Sequence, residues 1–178
     1  MTCFMRTPKR FAAGAAVATA LALSALTSAA EPSYEMISYV ESPSGALVKA
    51  GEYARAIDVA TKRLRGSPEH LLVEQTNLCV AYTVTGDYAN ARSSCDAALA
   101  LARHVDASRA RRTFPMDHET AKAMTNRGVL KALSGDVVGA ADDFRKATAM
   151  SIALAAPERN LARIDGATGD RLVMTEVR

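Results

Sequence analysis

Apolar residues recur at three- and four-residue intervals through most of the chain, and this spacing predicts amphipathic α-helices. In the predicted helix over residues 53–64, four apolar side chains share one face: Ala56, Ile57, Ala60 and Leu64. Over residues 71–85 apolar positions cover more than half of the circumference, which is typical of a helix packed between neighbours. Further helices are predicted at 88–102, 117–133, 137–153 and 157–164, and a short first helix is expected to end at 46–50.

A turn motif recurs three times between these helices, at residues 51–56, 86–91 and 135–140. Each copy begins with a glycine, an acid and an apolar residue and ends on alanine. Recurrence at intervals of tens of residues is the signature of stacked helical hairpins. The sequence therefore predicts an all-α fold of tandem antiparallel hairpins, about two and a half to three repeats, over residues 46–165.

The first thirty residues have the layout of a secretory signal peptide. Three bases, Arg6, Lys9 and Arg10, precede a weakly apolar, alanine-rich run, and small residues follow at 28–30. We expect cleavage near Ala30 on the general secretion route, leaving no stable membrane anchor. An uncleaved anchor is the alternative, but the run is short for a span that needs about twenty strongly apolar residues.

Removing residues 1–30 changes the charge of the chain. The whole sequence has 22 Lys+Arg and 19 Asp+Glu, and the first thirty residues hold three of the bases and none of the acids. The remainder therefore carries 19 of each sign (22 − 3 and 19 − 0). A domain that binds nucleic acid keeps an excess of basic residues, so no nucleic-acid partner is expected. The remaining 148 residues (178 − 30) are enough for one compact domain.

Cys79 and Cys95 are the two cysteines that remain after the signal peptide. They lie at nearly equal distances before and after Gly86, which places them at the same height on two antiparallel helices. An even number of cysteines in an exported protein favours a disulfide, and such a bridge would stabilise the fold by about 3 kcal/mol. Two buried free thiols, or a redox or metal pair, are the alternatives, although no C-x-x-C spacing or nearby histidine ligand is present.

Three stretches give no clear helical pattern. Residues 31–45 contain two prolines and several serines, and predict an extended lead-in or a short strand-like segment laid against the first helix. Residues 105–116 predict a break between helices. Its basic residues, Arg109, Arg111 and Arg112, are explained more simply by a solvated loop or helix end than by a phosphate or lipid-headgroup site. The tail, residues 166–178, is expected to be loosely ordered or partly extended.

The hairpins resemble tetratricopeptide repeats, a helical pattern of about 34 residues. The middle unit carries the most pattern positions: Leu78, Tyr82, Gly86, Tyr88, Ala91 and Ala98. The third unit keeps Gly128, Gly135, Ala140, Phe144 and Ala147. It departs from the family at Arg127 and Lys131, where leucine and tyrosine are preferred. The first unit matches in its second half only, at Gly51, Tyr53, Ala56 and Pro68. An unrelated helical bundle with coincidental turns is the alternative.

In this family the first helix of each hairpin lines a concave groove that holds a peptide or helix. The resemblance therefore implies a protein or peptide partner and a groove built from nine residues: Val73, Thr76, Asn77, Val80, Thr83, Lys122, Thr125, Asn126 and Val129. Asn77 and Asn126 are 49 residues apart, as are Gly86 and Gly135, so the two asparagines occupy equivalent positions. Small exported proteins of this type are typical of Gram-negative bacteria, which implies a periplasmic location.

Two roles are open for these asparagines. Some family members clamp the C-terminal carboxylate of a partner with asparagine and lysine, and Asn77 and Lys122 match two of those positions. The first unit lacks the matching residues, because Glu41 and Gly45 stand there, and Asn126 replaces a basic residue. The other interpretation is that Asn77 and Asn126 form hydrogen bonds within or between hairpins.

The sequence gives no support for catalysis. An active site needs convergent groups, and the predicted hairpins do not bring His70, His104 and His118 together. The acids near 117–119 are explained by helix capping and the helix dipole, and Asp142 and Asp143 are interpreted as a solvated helical face. No glycine-rich phosphate loop or nucleophile elbow is present, so we expect no enzyme activity, cofactor or metal.

The sequence thus predicts an exported protein–protein interaction module that docks a peptide or helix of a partner in the groove. The alternative is a structural or assembly subunit that stacks on another repeat protein or on a second copy. An array of so few repeats leaves its ends poorly capped, and this favours stacking.

Overall fold

Seven α-helices and no β-strand make up the described part of the chain, which is residues 34–110 and 117–175 of a computed structural model, with side chains described for 34–109 and 117–166. The helices are α1 (Pro43–Lys49), α2 (Tyr53–Lys62), α3 (Pro68–Val84), α4 (Tyr88–Ala110), α5 (His118–Leu133), α6 (Val137–Met150) and α7 (Ala155–Thr175). The all-helical prediction is confirmed for these residues. The predicted signal peptide, Arg111 and Arg112 lie outside them.

Capping residues determine where several helices begin. Ser67 accepts a hydrogen bond from the His70 amide (3.3 Å), and Pro68 occupies the first turn of α3. Proline fits there because an amide at that position has no partner within the helix. At the start of α6 the Asp136 carboxylate accepts a hydrogen bond from the Gly139 amide (2.9 Å).

The three turn glycines reverse the chain. Gly51, Gly86 and Gly135 have φ angles of 77°, 77° and 89°. This left-handed conformation is open to glycine because it has no Cβ. Each turn folds one helix back on the next, so that α1 packs with α2, α3 with α4 and α5 with α6.

Alternate helices also touch one another. α1 contacts α3, α3 contacts α5, and α5 contacts α7. Among the described residues, no Cα atom of α4 lies within 8 Å of a Cα atom of α2 or α6. The odd-numbered helices therefore form one layer, and α2, α4 and α6 pack behind it. We call the surface that the odd-numbered helices share the inner face.

Small side chains allow this close packing. Nine alanines expose 1% of their surface or less: Ala56, Ala60, Ala81, Ala91, Ala98, Ala102, Ala121, Ala140 and Ala147. Gly128 on α5 faces the ring of Phe144 on α6, and a Cβ at that position would lie 2.5 Å from the Phe144 Cε1 atom. The α5–α6 contact therefore requires glycine at 128.

Cys79 and Cys95 form the predicted disulfide. Their Sγ atoms are 2.10 Å apart and their Cα atoms 4.8 Å apart. Both residues are buried. The bond joins α3 to α4 and so crosslinks the central hairpin.

Helix α4 is longer than predicted and continues to Ala110, through the first part of the expected break. Val105 belongs to the core cluster that contains residues of α5, and Asp106 is also buried. The Asp106 carboxylate accepts hydrogen bonds from the Thr120 amide and hydroxyl, both at 2.7 Å. Asp106 therefore caps α5 from the neighbouring helix, whereas the Asp117 side chain makes no capping hydrogen bond.

Helix α7 also extends past its predicted end at residue 164. It continues to Thr175, so the segment expected as a loosely ordered tail is helical up to that residue. Each of the two glycines there costs about 1 kcal/mol relative to alanine, whereas Leu172 and Met174, which follow them, have good helix propensity. Within the described residues, none of the helices combines the length and apolar character needed to cross a membrane.

Asp143 is buried, which corrects its interpretation as part of a solvated face. Arg127 donates two hydrogen bonds of 2.8 Å to its carboxylate, and the Lys131 Nζ lies 2.9 Å away. Burial alone would raise the pKa of Asp143, but these two cations hold it below its ordinary value. Arg127 and Lys131 thus join α5 to α6. Asp142 is exposed, as predicted, and pairs with Lys146.

Candidate functional site

An extended stretch of the chain, residues 34–39, lies across the inner face, and we call it the docked segment. It runs against the order of the helices, with Glu35 at α7, Ile37 at α5 and Tyr39 at α3. A turn closed by a hydrogen bond from the Ser42 amide to the Tyr39 carbonyl (3.1 Å) leads into α1. The extended conformation agrees with the predicted lead-in, but its position does not, because it crosses three later helices instead of lying on the first.

Three buried asparagines bind the backbone of the docked segment, and we call them the asparagine ladder: Asn77, Asn126 and Asn160. The Asn160 Oδ1 accepts a hydrogen bond from the Glu35 amide, and its Nδ2 donates to the Glu35 carbonyl, both at 2.8 Å. Asn126 binds the amide and carbonyl of Ile37 in the same way, both at 2.7 Å.

The third contact of the ladder includes two serines. The Asn77 Oδ1 accepts a hydrogen bond from the Tyr39 amide (2.9 Å), and its Nδ2 donates to the Ser42 and Ser44 hydroxyls (2.8 Å each). The Ser42 hydroxyl in turn donates to the Tyr39 carbonyl (2.9 Å). Both backbone groups of Tyr39 are therefore hydrogen-bonded. The amide donates to Asn77 itself, and the carbonyl accepts from Ser42, which in turn accepts from Asn77.

The ladder binds every second residue because an extended chain has a period of two. The amide and carbonyl of one residue point to the same side, and a side-chain amide offers the matching acceptor and donor. Within the described residues, the amides of Met36 and Ser38 make no hydrogen bond. The asparagines thus take the place of a neighbouring strand, and two of them also bond side chains: Asn77 donates to the Ser42 and Ser44 hydroxyls, and Asn160 accepts from Arg163.

Apolar side chains of the docked segment pack into the inner face. The ring of Tyr34 stacks on Phe144 of α6, with centroids 6.4 Å apart and an angle of 25° between the planes. Met36 packs against clusters that contain Val80 of α3 and Val129 of α5. These contacts remove apolar surface from water, which favours docking.

Two arginines on α7 hold the single acid of the docked segment. Arg159 donates to both carboxylate oxygens of Glu35, at 2.7 and 2.5 Å, and Arg163 donates to one at 3.2 Å. Chiefly because of the hydrogen bonds from Arg159, the pKa of Glu35 is lowered from 4.5 to about 2. Glu35 is therefore ionised at neutral pH.

Charged residues surround the other end of the segment. The Tyr39 hydroxyl donates a hydrogen bond to Glu119, and the Lys122 Nζ lies 5.0 Å from the centre of the Tyr39 ring. Lys122 and Arg109 also pair with Glu119, at 3.3 and 3.0 Å. Burial and the neighbouring carboxylate raise the pKa of Tyr39. Burial would also raise the pKa of Glu119, but the hydrogen bond from Tyr39 and the two cations lower it.

Of the nine predicted groove residues, three contact the docked segment through polar or charged groups: Asn77, Asn126 and Lys122. Val80 and Val129 belong to the clusters on which Met36 packs. Lys122 lies over the Tyr39 ring and pairs with the Glu119 carboxylate. The residue that the resemblance matched to a carboxylate clamp therefore contacts these two side chains. One of the two interpretations predicted that Asn77 forms hydrogen bonds within or between hairpins. Its hydrogen bond to the Ser44 hydroxyl on α1 is of this kind, whereas its bond to the Tyr39 amide is not.

Among the described hydrogen bonds and ion pairs, none joins the other four predicted groove residues to the docked segment. Thr83 and Thr125 donate hydrogen bonds to the Cys79 and Ala121 carbonyls of their own helices (2.7 and 2.8 Å). Thr76 is buried and Val73 is half-buried on α3.

Sequence reasoning missed the third member of the ladder, Asn160, together with its neighbours Arg159 and Arg163. A signal was available, because Asn160 follows Asn126 by 34 residues, the length of one tetratricopeptide repeat. The role of Glu119 had no such signal, since its partner Tyr39 lies on an irregular segment 80 residues away.

Among the described residues, no group of three or more His, Cys, Asp and Glu side chains is placed to hold a metal ion. His70 lies by the Arg63 carbonyl and His118 by the Ser151 hydroxyl, each at 3.1 Å. Comparison of the chain with known protein families, with curated proteins and with solved structures finds no match.

Proposed function

We propose that this protein is a tetratricopeptide-like binding module of the bacterial envelope whose inner face binds extended protein segments through the asparagine ladder. The observation that carries the proposal is the pairing of Asn160 and Asn126 with both backbone groups of Glu35 and Ile37, at 2.7 to 2.8 Å. A surface that binds one extended segment in this way has the donors and acceptors to bind another.

The repeat character rests on the turn glycines and on the spacing of the ladder. Gly51, Gly86 and Gly135 all adopt the left-handed conformation at helix ends. The interval of 34 residues between Asn126 and Asn160 equals one tetratricopeptide period. Odd-numbered helices that line a common face match the groove-forming helices of that family.

Backbone recognition suits a module that accepts several partners. An amide bound to the backbone does not distinguish side chains, so the ladder fixes the conformation and register of a ligand. Selectivity then comes from the surrounding side chains, as in strand-addition complexes. The Cys79–Cys95 bond agrees with an oxidising compartment, which supports export by the predicted signal peptide at residues 1–30.

The test is a titration of the full exported chain with a synthetic peptide that has the sequence of residues 34–40. The resident segment acts at an effective concentration on the order of millimolar, so the peptide is added to several times that level. The side-chain amide signals of Asn77, Asn126 and Asn160 should shift in the NMR spectrum as the peptide binds.

Two variants control this titration. In a chain that also carries Glu35→Arg, which disfavours docking of the resident segment beside Arg159 and Arg163, Asn126→Ala should weaken peptide binding, whereas Asn90→Ala, which removes an exposed asparagine at the start of α4, should not. If no ladder signal moves, or if peptide-induced shifts occur only outside the inner face, the proposed function is wrong.

A second candidate, stacking on another copy, is favoured by one observation at α6 and α7. Ile152 exposes 97% of its surface, and it borders a surface depression of about 480 Å³ that Leu154 and Leu161 also line. Light scattering on the full chain and on Ile152→Asp distinguishes the two candidates. Stacking requires assembly that the aspartate abolishes, and a chain that stays monomeric at high concentration excludes it.

A further inference from the structure

We propose that the docked segment is an internal ligand, which is displaced by a segment of another protein with the same chemistry. That chemistry is an aromatic residue, an acid and an apolar residue in succession, followed three positions later by tyrosine, as at Tyr34, Glu35, Met36 and Tyr39. The inference rests on the proposed function and specifies the partner that the groove selects.

The acid of the pattern follows from charge complementarity on α7. Arg159 and Arg163 converge on one carboxylate, with Arg159 in a two-point contact. A planar guanidinium that donates two parallel hydrogen bonds matches a carboxylate in geometry as well as charge. A basic or neutral residue in place of Glu35 could not accept these hydrogen bonds from Arg159 and Arg163. The second residue of a partner segment, which would lie where Glu35 lies, should therefore be acidic.

The aromatic and apolar positions follow from the surface they cover. Tyr34 stacks on Phe144, and Met36 reaches clusters on both α3 and α5. At the last position a phenolic hydroxyl donates to Glu119 while Lys122 lies over the ring. Phenylalanine could occupy the ring site but could not donate to Glu119, so tyrosine is preferred there.

The docked segment is held more weakly than the helices below it. None of its six residues is fully buried, and its α7 end depends on ion pairs whose side chains are 54% exposed at Arg159 and 34% exposed at Glu35. Exposed pairs of this kind contribute little. Regions with few buried contacts open locally without global unfolding, so the segment is built to separate while the hairpins remain folded.

Opening should begin at the α7 end. The opposite end is continuous with α1 through the turn at 39–42, and Tyr39 is anchored by Glu119 and Asn77. Separation of residues 34–37 would expose Asn160, Asn126 and the two arginines together. A partner segment can therefore make its acid contact and two ladder contacts before Tyr39 is released.

The experiment uses Glu35→Arg in the full exported chain, with Asp142→Arg as the matched control at an exposed acid away from the inner face. The new arginine faces Arg159 and Arg163, so repulsion raises the fraction of open grooves. Apparent affinity scales with that fraction, and the peptide of residues 34–40 should bind Glu35→Arg about tenfold more tightly than the control. Circular dichroism verifies the helices of both variants.

A charge-reversed peptide, with arginine in place of its glutamate, tests the pattern itself. The inference requires that Glu35→Arg reject this peptide and that an Arg159→Glu, Arg163→Glu chain prefer it. If Glu35→Arg binds both peptides equally, the acidic pattern is wrong although the proposed function stands.

Three other outcomes also overturn the inference. If Glu35→Arg frees the Ile37 amide for hydrogen exchange and still binds no peptide, the proposed function fails with it. If the Ile37 amide stays protected and no peptide binds, the docked segment is a fixed part of the fold. If the unaltered chain forms dimers that Asn160→Ala abolishes, the displacing segment belongs to a second copy instead of another protein.

Discussion

A buried asparagine is unfavourable unless both ends of its side-chain amide are hydrogen-bonded. Asn126 exposes 1% of its surface and meets this requirement with one residue, Ile37. The dependence is mutual, because the Ile37 amide and carbonyl have no helix or sheet to bond with. The ladder therefore stabilises the fold and the docked segment together.

Replacing Asn126 by alanine should lower the free energy of unfolding by about 1–3 kcal/mol, since two backbone groups lose their partners. Urea denaturation measures the change. Asn90→Ala provides the comparison, because Asn90 is exposed and bonds only near its own turn, and it should stay within about 0.5 kcal/mol of the unaltered chain. Equal effects of the two substitutions would contradict a specific role for the ladder.

The Glu35 carboxyl gives docking a defined dependence on pH. Its pKa is lowered from 4.5 to about 2, chiefly by hydrogen bonds from Arg159. A lowered pKa in the folded state stabilises that state above the ordinary value, and the contribution is lost as pH falls through the folded value. The contribution of Glu35 to docking should therefore be full above pH 4.5 and decline between 4.5 and about 2.

An NMR titration of the Glu35 carboxyl checks this prediction. Arg159→Gln with Arg163→Gln should return the pKa towards 4.5. An unaltered chain in which Glu35 already titrates near 4.5 would show that the ion pairs do not form in solution.

Residue positions were easier to predict from sequence than residue partners. The repeat register identified Asn77 and Asn126 as equivalent, because helical spacing and the turn glycines fix which face a position occupies. Their partners lie 38 and 89 residues away on a segment without regular structure. Local periodicity carries no information about such contacts, so the occupant of the groove was missed.

At the scale of secondary-structure elements, Gly128 controls how closely α5 approaches α6. Alanine normally stabilises a helix relative to glycine, but at 128 its Cβ would clash with the Phe144 ring. Gly128→Ala should therefore lower the free energy of unfolding by about 1–3 kcal/mol.

Gly166→Ala is the control of opposite sign. A Cβ at this exposed position on α7 meets no atom within 4 Å, so alanine should stabilise the protein by about 0.5–1 kcal/mol. Thermal unfolding of both variants measures the difference. Stabilisation by both alanines would show that Gly128 is not tightly packed.

The disulfide supports the central hairpin. Cys79→Ala with Cys95→Ala should lower the free energy of unfolding by about 3 kcal/mol, because the bridge restricts the unfolded chain. A reductant should shift the urea midpoint of the unaltered chain in the same direction and leave the double variant unchanged. Insensitivity of the unaltered chain to full reduction would contradict this role.

Helix bounds were predicted best where a turn residue stops the helix. Gly86 and Gly135 end their helices for a stereochemical reason that is visible in the sequence. The end of α4 was placed too early, because the carboxylate of Asp106 is satisfied by Thr120 on the next helix. An acid near a helix end suggests a break when its tertiary partner is unknown.

For the whole molecule, the recurring turn motif led to the correct all-helical class because each copy makes the same reversal. The contact between residues 34–39 and α3, α5 and α7 is of another kind, since it is formed by side chains that bind backbone 38 to 125 residues away in the sequence. It joins three of the odd-numbered helices to one extended segment, and the proposed function rests on this contact.

Residue-resolved hydrogen exchange of the docked segment in the full exported chain tests this central claim most directly. The ladder bonds the amides of Glu35, Ile37 and Tyr39 and leaves those of Met36 and Ser38 without a described partner. Exchange should therefore alternate, slow at 35, 37 and 39 and fast at 36 and 38, and Asn126→Ala should remove the protection at 37. Uniformly fast exchange across residues 35–39, or protection without alternation, would contradict the account.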